Sequence, residues 1–301
     1  MIIMFKKSLF PSSFLFFFLL LFSTSSSWSQ ENAASIASFA DSLFDEKDYY
    51  RSITEYKRLI HLYPESGLSK KAELKIGLSY LEGKQLEAAR INLEKFINKY
   101  PDDPIRWDAT FLLGEVHFRG KDYESAINYY SYAQEKAANA DMKKKASMRK
   151  GNALLRGERW WEASLAFKSF EDEMPGLSTA ARDGSKTPYK SPKMAGTLSA
   201  IIPGSGQMYI GRKKDAFSAL LLNGLFIAGT YEAFRRDDYA LGSLLLFFEV
   251  GWYTGNIYSA ISGAHKFNRH EKEKYIEKLE KKYYLSATGH GDLLGIYKLR
   301  F

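Results

Sequence analysis

The 301-residue sequence contains no cysteine. That excludes disulfides, thiolate catalysis, zinc–cysteine sites and lipid attachment through an N-terminal cysteine. Its five histidines (His61, His117, His265, His270, His290) are scattered, and no two have the helical spacing of metal ligands around a carboxylate. A Ser-His-Asp setting and paired carboxylates in a folded cleft are missing as well. The sequence therefore predicts neither an enzyme nor a metal or cofactor site. Disorder is excluded by composition: 45% hydrophobic and 26% charged residues are the proportions of a foldable chain, long enough for two domains.

A single-signed excess of charge is also lacking over the first half. Residues 31–175 carry 23 Lys+Arg against 24 Asp+Glu, whereas residues 176–301 carry 18 against 11. A nucleic-acid binder would place its basic excess on the folded domain. Here the excess lies beside apolar segments, which points to a membrane and to no nucleic acid. Residues 1–30 read as a secretory signal peptide: Lys6 and Lys7, an apolar run from Phe14 to Phe22, then a small polar region with Ser27-x-Ser29. An uncleaved anchor is the alternative. Either reading exports the chain.

The exported half repeats every 37 residues without gaps. Gly77, Gly114 and Gly151 keep that interval, with Ala40 one unit earlier; Ala89, Ala126 and Ala163 keep it too. So do Tyr56, Leu93, Tyr130 and Phe167, and Pro64, Pro101 and Pro175 close three of four units. Between the halves of each unit stands a polar residue and a large one, as in Asp48-Tyr49 and Asp122-Tyr123. This pattern predicts helical hairpins. Small residues let two antiparallel helices approach, large ones fill the gap to the neighbouring hairpin, and proline stops the second helix. One hairpin cannot bury its own apolar face, so the units stack.

Ile76-Gly77-x-x-Tyr80, Ala89, Leu93, Phe96 and Pro101 stand in register with the tetratricopeptide pattern, as do Leu113-Gly114, Ala126 and Tyr130. The chain thus resembles the tetratricopeptide repeat, with a period longer than the usual ~34 residues. Such units, ending in Tyr63-Pro64 and Tyr100-Pro101, are similar to envelope proteins of Gram-negative bacteria. Those include the assembly lipoprotein of the outer-membrane β-barrel machinery and a periplasmic cell-division coordinator. The resemblance implies an all-α array that binds a protein partner in the groove lined by the first helices. Lys75, Ser79, Thr110, His117, Ser147 and Lys150 are the groove candidates, taken as exposed; plain solvation is the competing reading. Trp160 falls on an inter-helix packing position, which favours core over a ligand cage for Trp160-Trp161.

Residues 179–193 read as a linker, rich in Gly, Ser, Thr, Pro and Lys. Three long stretches follow. Met194 to Gly211 has no charge in eighteen residues, Ala216 to Tyr231 none in sixteen, and Tyr239 to Ala264 only Glu249 in twenty-six. Against the ~20 residues of a span the third is convincing, the second adequate and the first marginal. Three crossings and a two-helix hairpin both remain open. In a hairpin, Pro203, Gly204 and Gly206 break the first stretch at the interface. In the third, Gly251, Gly255, Ser259 and Gly263 recur every four residues, a spacing that lets membrane helices touch. Asn223, Glu249 and Asn256 are polar groups in apolar surroundings, and an Asn223–Glu249 hydrogen bond is expected to fix the helix pair. Residues 266–301 form a basic amphipathic tail ending in "GIYKLRF".

"IIPGSGQMYIGRKK" at 201–214 is close to a phosphate-binding loop. The chemistry fails, because that loop needs Lys directly after the second glycine and a hydroxyl residue next. Arg212 and Lys213 stand there, followed by Lys214. Pro203, Gly204, Gly206, Gln207, Tyr209 and Gly211 instead resemble the Pro-Gly-x-Gly-Gln-x-Tyr mark of a small hydrophobic domain of bacterial membrane proteins. That resemblance implies a membrane domain over 194–265, with Arg212, Lys213 and Lys214 held at phospholipid headgroups. The expectation for the whole is an envelope adaptor with a signal peptide (1–30), a repeat array (31–178) and a membrane anchor. The alternatives are a subunit of a transport or export system using Glu249 and Asn223, or an outer-membrane assembly factor.

Overall fold

The computed structural model describes residues 32–283. The signal-peptide reading and the terminal "GIYKLRF" fall outside the described residues. The chain divides into two compact units, one ending at Gly83 and one beginning at Lys84. Both are all-α among the described residues.

The first unit has three helices, α1 (Ala33–Asp45), α2 (Tyr49–Leu62) and α3 (Gly67–Glu82). Each begins where a side chain can occupy the free amides of its first turn. Asn32 accepts from the Ser35 N–H, Asp48 from Arg51 and Ser66 from Leu68. Tyr63-Pro64 ends α2, since proline cannot continue a helix. The core joins Ile36, Ala37, Ala40, Ile53, Tyr56, Leu59, Ala72 and Ile76. Burial of each large apolar side chain here contributes about 1.5–3 kcal/mol.

The second unit continues with α4 (Leu86–Lys99), α5 (Arg106–Arg119), α6 (Tyr123–Lys136), α7 (Ala140–Arg156) and α8 (Trp160–Phe167). The 37-residue period reappears in the backbone. Lys47, Lys84, Lys121 and Glu158 are all left-handed, with φ between 60° and 64°. At each such turn the chain reverses in few residues: the Lys121 N–H donates to Phe118 and the Asp122 N–H to His117, and Glu158 and Arg159 repeat this on Leu155 and Leu154. A non-glycine residue in that region costs about 1–2 kcal/mol, which the hydrogen bonds of the turn offset.

The small positions act as the spacing implied, with one difference. A Cβ on Gly114 would lie 2.6 Å from the Tyr130 ring, and one on Gly151 would run into the Phe167 ring. Tyr130 and Phe167 are fully buried. These rings sit on the glycine of their own hairpin's first helix, where the sequence reading sent them to the next hairpin. The closest available void for a large ring is the one its own glycine leaves.

The 179–193 stretch is more structured than its composition suggests. Helix α9 (Leu177–Asp183) and a 3-10 turn (Gly184–Lys186) occupy its first part, and Leu177 and Ala181 are buried. A Cβ on Gly184 would enter the Trp160 ring, so glycine here serves close packing on α8. Trp160 also meets Tyr275 edge-on at 6.3 Å, as a packing residue does, while Trp161 is exposed.

Four helices complete the unit: α10 (Pro192–Ile201), α11 (Ser205–Tyr209), α12 (Lys213–Arg235) and α13 (Tyr239–Tyr283). Ser191 caps α10 with proline at its first turn. At ten residues α10 is roughly 15 Å long, half of a membrane's hydrocarbon thickness. Helix α12 is long and apolar enough to cross a membrane by length and composition, and most of its apolar side chains are exposed. Helix α13 does not meet that measure, although its sequence stretch reads as the most convincing of the three. Glu249, Asn256 and the interspersed Gly, Ser and Tyr lower its hydropathy, and its 45 residues run far past any span, to roughly 68 Å.

Candidate functional site

Polar groups in the array are buried in matched sets. In the first unit the Tyr56 hydroxyl donates to Asp41, and the Lys75 ammonium pairs with the same carboxylate. In the second, the Tyr130 hydroxyl donates to Glu115 at 2.6 Å, and Arg149 clamps that carboxylate at 2.5 and 2.7 Å. Asp41 and Glu115, Tyr56 and Tyr130, and Lys75 and Arg149 are each 74 residues apart. Leu78, Leu93 and Leu112 hold the places between. The sequence displays this alternation at twice the repeat length, and reading at 37 residues passes over it. Burial dominates the ionisation of these groups. It pushes both tyrosine hydroxyls well above their ordinary range and lowers Lys75.

That network corrects the groove assignment. Lys75, Ser79, Thr110 and Ser147 were taken as exposed, and the structure buries all four. Lys75 is held by Asp41, and the Ser79 and Thr110 hydroxyls donate back to Lys75 and Arg106 carbonyls one turn earlier. Helix faces that look polar in one dimension are covered when helices stack. His117 and Lys150 are half-buried. His117 stacks on Tyr129 at 5.1 Å and lies 3.1 Å from Asp122, so its ring packs between α5 and α6. Asp108 stands apart: burial alone pushes its carboxyl up to about 6.

The Pro-Gly-x-Gly-Gln-x-Tyr segment is a packing device with a polar centre. Gly204 has φ +87°, and a Cβ there would strike the Ala216 carbonyl at the start of α12. Gly206 lets α11 lie against α10, where a side chain would collide with the Ala195 carbonyl. Gln207 is buried; its carbonyl accepts from Ser199 at 2.9 Å, and its amide donates to the Asn256 carbonyl and side chain at 2.9 and 2.7 Å. The Tyr209 hydroxyl accepts the Ser191 N–H at 3.1 Å, with Lys190 over the ring. Pro203 stands in the break between α10 and α11, and Gly211, at φ +88°, turns the chain into α12. Arg212 pairs with Asp215 at 2.6 Å, and Lys213 and Lys214 are exposed.

Beyond this knot α12 and α13 form an antiparallel pair. Ala216, Asn223 and Thr230 recur every seven residues on one buried seam, and Gly242, Glu249, Asn256 and Gly263 on the other. The expected Asn223–Glu249 hydrogen bond is not formed. Asn223 donates to its own helix at Ala219, leaving its Oδ1 without a partner, and neither Glu249 oxygen has one. The reason is register: the pair is set by the packing of Phe234 on Gly242 and Leu245 on Gly229, not by polar contact. Gly263 is filled by Ile210, whereas Gly251 and Gly255 face open space. Gly251, Gly255, Ser259, Asn223 and Asn256 border an open groove of about 1120 Å³.

Past the groove, α13 returns to the array. Arg156 clamps Glu280 at 3.0 and 2.6 Å, Lys272 pairs with Glu158, and the Tyr275 hydroxyl donates to the Ala180 carbonyl at 2.8 Å. Ile276, Leu279 and Tyr283 are buried. The basic amphipathic segment is therefore docked on the last repeat.

Residues 30–146 match the YfiO family, described as an outer membrane lipoprotein. The matched region runs from before α1 into α7 and includes both buried triads except Arg149. No curated protein matches the chain. The repeat half is a tetratricopeptide-like array similar to that cell-envelope family, and α9 to α13 lie beyond the match.

Proposed function

We propose that this protein is a membrane-anchored envelope adaptor, in which the repeat array holds a protein partner and the α12–α13 hairpin tethers it. The domains follow as a signal peptide at 1–30, an array at 31–178, a connector at 179–193, a membrane domain at 194–265 and a basic segment at 266–301. The carrying observation is the return of α13 onto the array through Arg156–Glu280 and Tyr275–Ala180. A helix that starts at the tip of an apolar hairpin and ends packed on the array couples the two rigidly. A basic segment packed on the array supports the two-crossing hairpin, in which both lie on one side of the membrane. Exposed Phe217, Leu225, Leu244 and Phe247 then face lipid, with Tyr231 and Tyr239 toward the headgroups at the tip. Short α10 and the α11 turn lie at the near interface, with Lys213 and Lys214 at the headgroups.

Topology reporters fused after residues 185, 213, 237 and 301 test this. The expected result is one side for 185, 213 and 301 and the other side for 237. A reporter at 301 opposite that at 185 overturns the hairpin, and a cytoplasmic signal at 185 overturns export. Crosslinking and capture of the intact protein from membranes then identifies the partner.

A second reading, an accessory subunit of a transport or export system, draws on Glu249, a buried carboxylate with neither oxygen paired. A third, an outer-membrane assembly factor, draws on the family similarity of the array. The sequence has no cysteine for the lipid attachment that the name of that family describes.

A further inference from the structure

We infer that the α12–α13 seam is a proton-binding site open to one side of the membrane: Glu249 carries the proton, and Asn223, Asn256 and Gln207 connect it to the array's side. The inference rests on the membrane reading of the hairpin. Its basis is the order of polar groups along the seam. Phe234 packs on Gly242, Leu245 on Gly229 and Arg212 beside Gly263, so one antiparallel register holds from tip to base. That register interleaves the buried residues of the two helices as Thr230, Glu249, Asn223 and Asn256, alternating between α12 and α13 in steps of roughly 5 Å. All four are at least nine-tenths buried.

Within this ladder Thr230 Oγ1, both Glu249 oxygens, Asn223 Oδ1 and Asn256 Nδ2 have no partner. Among the described residues no cation faces the carboxylate. Helix α12 has no charge between Asp215 and Glu232, where Tyr231 is its one titratable group, and the apolar part of α13 adds Tyr239, Tyr253 and Tyr258. Helix α10 meets α13 nearer the array, at Ile257 and Ile261; its one charged residue is Lys193, and α11 has none. An ionised carboxylate in that setting costs several kcal/mol. A proton on Glu249 removes the charge and supplies the donor that Asn223 Oδ1 lacks. A step of roughly 5 Å is the length of two hydrogen bonds through one water, so the ladder passes a proton without a direct Asn223–Glu249 bond. Toward the array it continues as hydrogen bonds, Gln207 to Asn256 at 2.7 Å and Ser199 to Gln207 at 2.9 Å. Toward the tip it ends at Thr230, because the Phe234 ring fills the next place, at Gly242. The site therefore binds a proton from one side and conducts none across.

Dicyclohexylcarbodiimide, an apolar reagent for protonated carboxyl groups, tests this on the full-length protein in sealed membrane vesicles. Labelling of Glu249, located by peptide mass, is expected, and its loss with Glu249→Gln. Raising the pH on the array's side alone should slow the labelling severalfold, and raising it on the other side alone should not. Asn223→Leu, which interrupts the ladder, should abolish that response, whereas Thr230→Val, beyond Glu249, should keep it. No label on Glu249, labelling indifferent to pH, a response to the far side's pH or an unaltered response in Asn223→Leu overturns the proposal. Suppression by sodium at constant pH overturns it in favour of a metal cation. Alkaline carbonate extraction separates the two levels. Release of the protein from the membrane overturns the hairpin reading and this one with it. Retention with an unlabelled Glu249 overturns the proton site alone.

Discussion

Buried charge is treated in opposite ways by the two halves of this protein. In the array, Lys75, Glu115 and Arg149 are buried and each sits in an ion pair, with a tyrosine hydroxyl completing each set. In the hairpin, Glu249 is buried to a similar degree and neither oxygen has a partner, and Asn223, Thr230 and Asn256 each keep an unmet atom. A buried charge left unpaired would cost several kcal/mol, a large share of what separates folded from unfolded, and the array pairs Lys75, Glu115 and Arg149. Arg106 Nε, Asn152 Oδ1 and Glu171 Oε2 of the array also lack partners, so the difference lies in buried carboxylates: Glu115 has both oxygens paired and Glu249 neither.

The largest effect should come from breaking a set in the array. Arg149→Ala leaves the Glu115 carboxylate buried without its clamp and should cost about 3–5 kcal/mol in chemical denaturation. Lys75→Ala should cost less, because Asp41 keeps a side-chain exposure of 26% and hence access to water. The double variant Glu115→Gln with Arg149→Met keeps an acceptor for Tyr130 and should recover most of the loss. If it does not, the network contributes something beyond charge compensation.

Glu249→Gln tests the other side of the comparison. For a pure tether, removing an unpaired carboxylate should leave anchoring, folding and partner capture intact, and on the order of 1 kcal/mol of added stability is expected. Loss of the protein's cellular activity with normal folding and capture sinks the tether reading in favour of an intramembrane role.

A pH-dependent effect of similar size is expected at Asp108, the carboxyl that burial raises to about 6 from an ordinary 3.8. The folded protein holds this proton more tightly than the unfolded chain does, so stability should fall as pH rises from about 4 to about 6. Asp108→Asn should flatten that slope and raise stability at pH 7 by roughly 1–2 kcal/mol, read from melting at several pH values. An unchanged slope would place the pH dependence elsewhere.

Much of the fold was legible because hairpin repeats are written in local spacing. Gly114, Gly151, Tyr130 and Phe167 announce close helix pairs, and Asp48 and Asp122 announce the turns that the backbone repeats at Lys47, Lys84, Lys121 and Glu158. The candidate site was less legible. Lys75, Ser79, Thr110 and Ser147 carry polar side chains on first helices, and only the stacking of helices decides that those faces are covered. Asn223 and Glu249 were matched by chemistry, yet the register set by Phe234 on Gly242 and Leu245 on Gly229 keeps them from bonding.

The sequence by itself determined the all-α hairpin array, its 37-residue period and the break at Pro203-Gly204, because each depends on residues close together in the chain. Only the tertiary structure decided that Gln207 joins α10 and α13, that α13 returns to the array through Glu280, and that Gly251 and Gly255 stay open while Gly242 and Gly263 are filled. Those outcomes depend on which side chains reach one another across 49 or 124 positions of sequence, a matter of packing that no local spacing encodes.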